Sequence, residues 1–330
     1  MKTEKSQYLA AIAEAEEKVL AGGALAFEEA EHLLNAPDEY LMHLAGAADR
    51  IRICYKGYSF DACSLINAKS GLCSEDCAFC AQSARHRTDC DVYPLKSEED
   101  ILKAAENAFQ TGARRFCTVT SGPALSDGEF EKLLGALARV RCEVDIALDA
   151  SLGFLDDRRA HELHAVGVSR YNHNLETCRD HFPNICTTHS FDDRVATVQT
   201  VKSHGMSICC GGIIGLGETP RQRALLAFTL RDLGVDCVPI NILNARPGTR
   251  LAESIPPEPM EIVRTVAIFR FILPQATIKI AGGREANLRD FQGMALRSGA
   301  NGMIIGGYLT TAGRSVVDDL RMIREAGFQC

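Results

Sequence analysis

Three cysteines stand close together in the first quarter of the chain: Cys73, Cys77 and Cys80 in "SGLCSEDCAFCAQSARHRTDC", a CxxxCxxC array. Thiolates favour zinc or iron–sulfur clusters. A structural zinc site or an ordinary electron-transfer cluster takes four protein ligands, and zinc ribbons present two CxxC-like pairs. No second pair accompanies this one. A four-iron cubane held here therefore keeps one iron without a protein ligand, open to a small chelating molecule. Further stretches rich in Asn, His, Glu and Gly follow at intervals: "YNHNLE", "GGIIGLGE", "PINILNARPG", "AGGRE" and "GGYLTT". Any one of them could be turn chemistry.

Each of these stretches follows a short β-rich run, and the runs predict how they are positioned. Candidate strands are FDACSLIN, RFCTVTS, VDIALDA, SRYNHNL, SICCGGIIG, CVPINIL, ATIKIAG and GMIIGG. Amphipathic segments such as DGEFEKLLGALARV and PRQRALLAFTLRDLG lie between most of them. Eight strands in alternation with helices predict a (β/α)8 TIM-type barrel, with a doubly wound open sheet as the alternative. Residues 1–55 read as an N-terminal helical extension, and residues 56–330 as the barrel with its C-terminal segment. In a barrel, chemistry belongs at the C-terminal ends of the strands. The polar stretches fall there, and CxxxCxxC follows the first strand.

The composition is that of a globular protein: 46% hydrophobic and 24% charged over 330 residues. A net charge of −7 with no basic run argues against nucleic acid and anionic membranes as partners. The opening MKTEKSQYLAAIAEAEEKVL has no continuous apolar stretch, so neither a signal peptide nor a membrane span is expected, and the cytoplasm is the expected location. Fourteen cysteines in a reducing compartment do not read as a disulfide framework. Cys142, Cys178, Cys186, Cys237 and Cys330 are read as small buried apolar residues. His173, Met206 and Met294 are assigned to the core, and His86 and His189 to solvent or to positions that support the site from behind.

The cysteine array resembles the signature of the radical S-adenosylmethionine superfamily. That resemblance implies a [4Fe-4S] cluster whose open iron takes the amino and carboxylate groups of S-adenosylmethionine, which is cleaved to a 5′-deoxyadenosyl radical. Phe79, the aromatic residue before the last cysteine, matches the one that lies near the adenine. "INAKSGLCSEDCAFCAQSA", "YNHNLET", "GGIIGLGET", "VPINILNARPGTRLA", "GGREANLRDFQ" and "YLTTAGR" together resemble the biotin synthase family from about residue 50 to 328. Such enzymes insert sulfur between two unactivated carbons of dethiobiotin. The resemblance implies cosubstrate contacts from Asn172, Glu176, Arg194, Gly211, Ile213 and Gly215. It also implies dethiobiotin contacts from Asn172, Asn174, Asn241, Thr310 and Thr311. An Asn amide both donates and accepts, which suits a urea. A flavodoxin or ferredoxin electron donor and a homodimer are implied as well.

The chain departs from the family pattern at the second, auxiliary cluster. Familiar biotin synthases hold a [2Fe-2S] cluster with three cysteines and an arginine, on the second, third, fifth and seventh strands. Cys117 and Cys209 match two of these positions. Asp149 stands where the third-strand cysteine belongs, and Lys279 where the arginine belongs. An ammonium cannot ligate iron, and a carboxylate is a harder donor than a thiolate. Cys63, on the first predicted strand, is the compensating feature. Cys63, Cys117 and Cys209 (or its neighbour Cys210) are expected to hold a different auxiliary cluster. The pattern resembles the branch thought to carry a [4Fe-5S] centre. The competing readings are a hydrogenase maturase, a methylornithine-forming mutase, or a non-catalytic iron–sulfur scaffold.

Overall fold

Among the described residues nine short strands, all paired in parallel, carry the apolar runs found in the sequence: β1 (Asp61–Lys69), β2 (Arg115–Thr120), β3 (Ala147–Ser151), β4 (Val168–Asn172), β5 (Ser207–Cys209), β6 (Gly212–Ile214), β7 (Cys237–Ile242), β8 (Thr277–Ile280) and β9 (Gly302–Ile304). The computed structural model describes residues 2–310 and 313–329. The strands form one sheet in the order β5-β4-β3-β2-β1-β9-β8-β7-β6. β5 also pairs with β7, through Cys209 and Cys237, and this closes the sheet on itself. A doubly wound sheet keeps two free edges, so closure decides for the eight-stranded barrel.

The barrel has eight staves because β5 and β6 are two halves of one predicted strand. Cys209 pairs with Cys237 and Gly212 with Ile240, a constant register that puts Gly211 opposite Pro239. Proline has no N–H to give to the ladder, so the strand is interrupted there. Gly211 is pressed against the same proline: a Cβ on Gly211 would lie 2.0 Å from the Pro239 carbonyl oxygen. Its N–H is turned to the Asn174 side chain instead (3.1 Å). A Gly211→Ala variant is expected to lose about 2 kcal/mol of stability, the usual cost of overpacking, measured by urea unfolding. A midpoint unchanged from the parent chain contradicts the close approach.

Six of the helices that follow strands start at side-chain caps. Ser97, Ser126, Asp156, Ser190, Thr219 and Ser315 each accept a backbone N–H from the first turn of the helix that follows. These caps fix where each loop ends, and so how the loops over the barrel mouth are held. Ahead of β1, helices Lys2–Leu20, Phe27–Leu34 and Leu41–Lys56 pack on Pro259–Ile272 and Pro220–Asp232. Their buried faces share one continuous apolar core with the barrel. No helix among the described residues is long and apolar enough to cross a membrane.

Candidate active site and metal centres

The CxxxCxxC loop leaves β1 and is folded back on itself by its own backbone. Cys73 donates to the Gln82 carbonyl (3.0 Å) and accepts from Ala84 (2.8 Å), while Cys80 donates to Cys77 (3.0 Å). Leu72, at the loop's start, is exposed and takes a left-handed conformation (φ 53°). The loop is tied to the segment after β4. Asp76 accepts from the Thr187 N–H (2.9 Å) and hydroxyl (2.6 Å), and Ala78 donates to the Ile185 carbonyl (2.8 Å). Those bonds hold the Asp76 carboxyl well below the usual carboxylate range, against the cost of burial. Cys77 is buried, and the neighbouring Cys186 thiol together with burial pushes its thiol up. Burial pushes Cys80 up to about 11. Such thiols ionise when a metal replaces the proton.

Cys77, Cys186 and His189 lie close enough to share an ion. The imidazole argues against it. His189 Nε2 accepts from the Arg194 Nε–H at 2.9 Å, so the ring proton sits on Nδ1. That protonated nitrogen faces Glu75 (2.5 Å) and Cys186 (3.3 Å) and has no lone pair for a metal. The group is a hydrogen-bonded buttress: Arg194 runs on to the Asn174 carbonyl (2.8 Å), to Glu176 (3.6 Å) and to Cys77 Sγ (3.9 Å).

Beneath the loop, a cavity of about 290 Å³ descends into the barrel. Phe79, Cys80 and Gln82 line its mouth, and Cys63, Cys117, Cys209 and Lys279 line its inner part. These four come from β1, β2, β5 and β8 and alternate with outward-facing neighbours, as a strand's period of two requires. Alternation also separates two candidates. Cys209 faces the cavity, whereas Cys210 is buried in the apolar core outside the barrel. Burial raises Cys63 to about 12 and pushes Cys117 well above its ordinary value; for Cys209, a hydrogen bond with Cys237 adds to burial. Three buried soft donors around one space fit an iron–sulfur centre. Asp149 does not join them. It is buried below and pairs with Arg115 (2.5 Å).

Polar side chains fill the wall between the two cysteine sets. Asn172 donates to Cys117 Sγ (3.2 Å), and its buried Oδ1 has no protein partner. Glu176 lies in the left-handed region (φ 67°), and one of its carboxylate oxygens, Oε2, is likewise buried and unpartnered. Burial raises its pKa. Asn241 is differently placed: it donates to the Gly212 carbonyl (3.2 Å) and accepts from Gly282 N–H (2.9 Å) and the Tyr308 hydroxyl (3.1 Å). Asn174, Ile213 and Thr310 also line the cavity. Gly211 and Gly215 support it from behind, and Thr311 lies outside the described residues.

Residues 69–230 match the Radical SAM superfamily, and residues 239–329 match the Biotin and Thiamin Synthesis associated domain. The chain is 49% identical over 315 residues to the biotin synthase of Carboxydothermus hydrogenoformans, which covers 95% of this chain and 97% of that protein. It is 49% identical to the biotin synthase of Pelotomaculum thermopropionicum, covering 93% and 96%. The chain belongs to the biotin synthase family. Among solved structures, methylornithine synthase (PylB) superposes with a TM-score of 0.82 at 19% identity, over 96% of each chain. The FeFe-hydrogenase maturase HydG from Carboxydothermus hydrogenoformans gives 0.81 at 17%, over 99% of this chain and 80% of that one. At such identity these two share the fold alone.

Within the biotin synthase frame, several sequence expectations are revised. Cys142 is exposed, not buried: the end of the helix Asp127–Glu143 turns it to solvent. Cys186 is buried as expected, but it is packed against the Cys77 thiol. Of the two positions expected for His189, solvent or support behind the site, it takes the second: it is largely buried and orients Arg194. Cys237 is fully buried and faces Lys279 and Cys209 inside the barrel. Cys330 lies outside the described residues. Tyr308 and Gln82 line the cavity and were not singled out in the sequence. Gln82 was legible in principle, since it directly follows the cysteine motif.

Proposed function

We propose that the chain converts dethiobiotin to biotin, with sulfur drawn from an auxiliary iron–sulfur centre held by Cys63, Cys117 and Cys209. The observation that carries this reading is one continuous cavity with Cys80 at its mouth, three inward thiols at its inner end and amide side chains between. When bound, the cluster at Cys73, Cys77 and Cys80 and its S-adenosylmethionine supply the radical that breaks unactivated C–H bonds. The chain's own residues bind, orient and exclude water. The Asn172 Oδ1 is available to accept an N–H from the ureido ring, and Thr310 can hold the carboxylate. The Arg194 buttress keeps Asn174 and Glu176 in place beside the cosubstrate. Asn241 acts by fixing the shape of the wall, because its amide is already engaged by the Gly212 and Gly282 backbone and the Tyr308 hydroxyl.

The missing arginine and third-strand cysteine favour a [4Fe-5S]-like centre over [2Fe-2S]. A flavodoxin or ferredoxin donor, a homodimer and a cytoplasmic location belong to the same reading, as does a helical extension over residues 1–55. The test is a strictly anaerobic incubation of reconstituted protein with S-adenosylmethionine, a low-potential reductant and dethiobiotin. Mass spectrometry follows 5′-deoxyadenosine and biotin together. Both are expected; deoxyadenosine without biotin, in protein with both centres loaded, overturns the substrate.

A further inference from the structure

The inner cavity rests on a layer of charge. Lys279 Nζ pairs with Asp61 (2.7 Å), Asp61 with Arg170 (2.8 Å), and Asp149 with Arg115 (2.5 Å) and, more distantly, Arg170 (4.0 Å). The layer therefore holds three cations against two carboxylates, one positive charge in excess. Lys56, half-buried outside it, adds a cation, not a carboxylate. Lys279 is 3% exposed and lines the cavity directly under the cysteines. Its ammonium is held by the Asp61 carboxylate, which Lys279 shares with Arg170. A buried cation without a carboxylate of its own is unfavourable. The balance is restored when the cavity above holds an anion. An iron–sulfur core bound by three thiolates is anionic overall.

We propose that Lys279 is the counter-cation of an anionic iron–sulfur centre at Cys63, Cys117 and Cys209, and so raises that centre's reduction potential. This rests on the reading of the inner cysteines given above. Lys279 is then a positioning residue in charge, not a ligand: its ammonium stabilises the more negative, reduced state. A nearby cation, the net charge of the site and hydrogen bonds to sulfur are the protein's levers on such potentials.

Reconstituted protein is titrated anaerobically with a redox dye series, the auxiliary centre being followed by EPR and optical absorption. Lys279→Met keeps the length of the side chain and leaves Asp61 its Arg170 partner, so loading is expected to persist. Its potential is expected to move to more negative values than in the parent chain. Asp61→Asn frees the ammonium from its carboxylate and is expected to move the potential the other way, and Lys279→Arg to leave it near the parent. If both neutralising variants hold the parent potential, the counter-cation role is overturned and the ligand reading stands. If Cys63→Ser, Cys117→Ser and Cys209→Ser proteins all retain the second centre, the ligand reading itself has failed. Should Lys279→Met fail to load, the opposite shift in Asp61→Asn decides alone.

Discussion

Exchanging Cys80 for serine is expected to reduce 5′-deoxyadenosine release to background. Cys80 is one of three thiols in a loop that supplies no fourth ligand, so the loss leaves two donors on a four-iron core. Serine occupies nearly the same volume and can keep the backbone bond to the Cys77 carbonyl, so the fold and its thermal midpoint should not move. The chemistry does move. The Cys80 thiol, though raised to about 11 by burial, still gives up its proton to iron, whereas an alkoxide is a harder donor and far more basic. Iron and sulfide content should fall by the share of one cubane. Deoxyadenosine release at the parent rate from Cys80→Ser protein removes this loop from the reaction.

Cys63→Ser separates the two halves of the reaction. Cys63 lies on β1, two residues above Asp61, and lines the inner cavity with Cys117 and Cys209. It does not touch the upper loop. The variant is therefore expected to keep cleaving S-adenosylmethionine while biotin formation falls by more than about 100-fold, the upper end of what removing a mere supporting group costs a metal site. The electronic spectrum should lose the auxiliary contribution alone. Unchanged iron content together with unchanged biotin yield would make Cys63 a packing residue.

The barrel was legible because each strand brings an apolar run, a turn and a helix signal in the same order, and because those signals agree with one another. The cluster loop was legible from spacing. What spacing could not show is depth. Cys63, Cys117 and Cys209 are 54 and 92 residues apart in the chain, and only the strand register brings them to one cavity. The break at Gly211 was hidden for a different reason: it depends on Pro239, a residue on another strand, standing opposite. Asn241 was expected as a dethiobiotin contact, and its engagement by Gly212, Gly282 and Tyr308 is set by three separate segments. Cys186 and His189 could be given only general places, because a thiol and an imidazole in a loop carry no pattern of their own. Their meaning comes from contact with Cys77 and Arg194.

The interrupted stave has a practical side for anyone wishing to fit a different molecule into this barrel. Where β5 gives way to β6, the wall is built from main chain: a Cβ on Gly211 would meet the Pro239 carbonyl at 2.0 Å, and one on Gly212 the Glu176 carbonyl at 2.4 Å. Neither glycine can take a side chain without displacing that main chain, and beside them Cys209 and Ile213 face the cavity. Room for a bulkier or shorter guest has to be made on the opposite arc, where Leu65, Val119, Ser151 and Ile304 present ordinary side chains to the cavity. A redesign campaign would therefore randomise those four positions and leave the glycines alone.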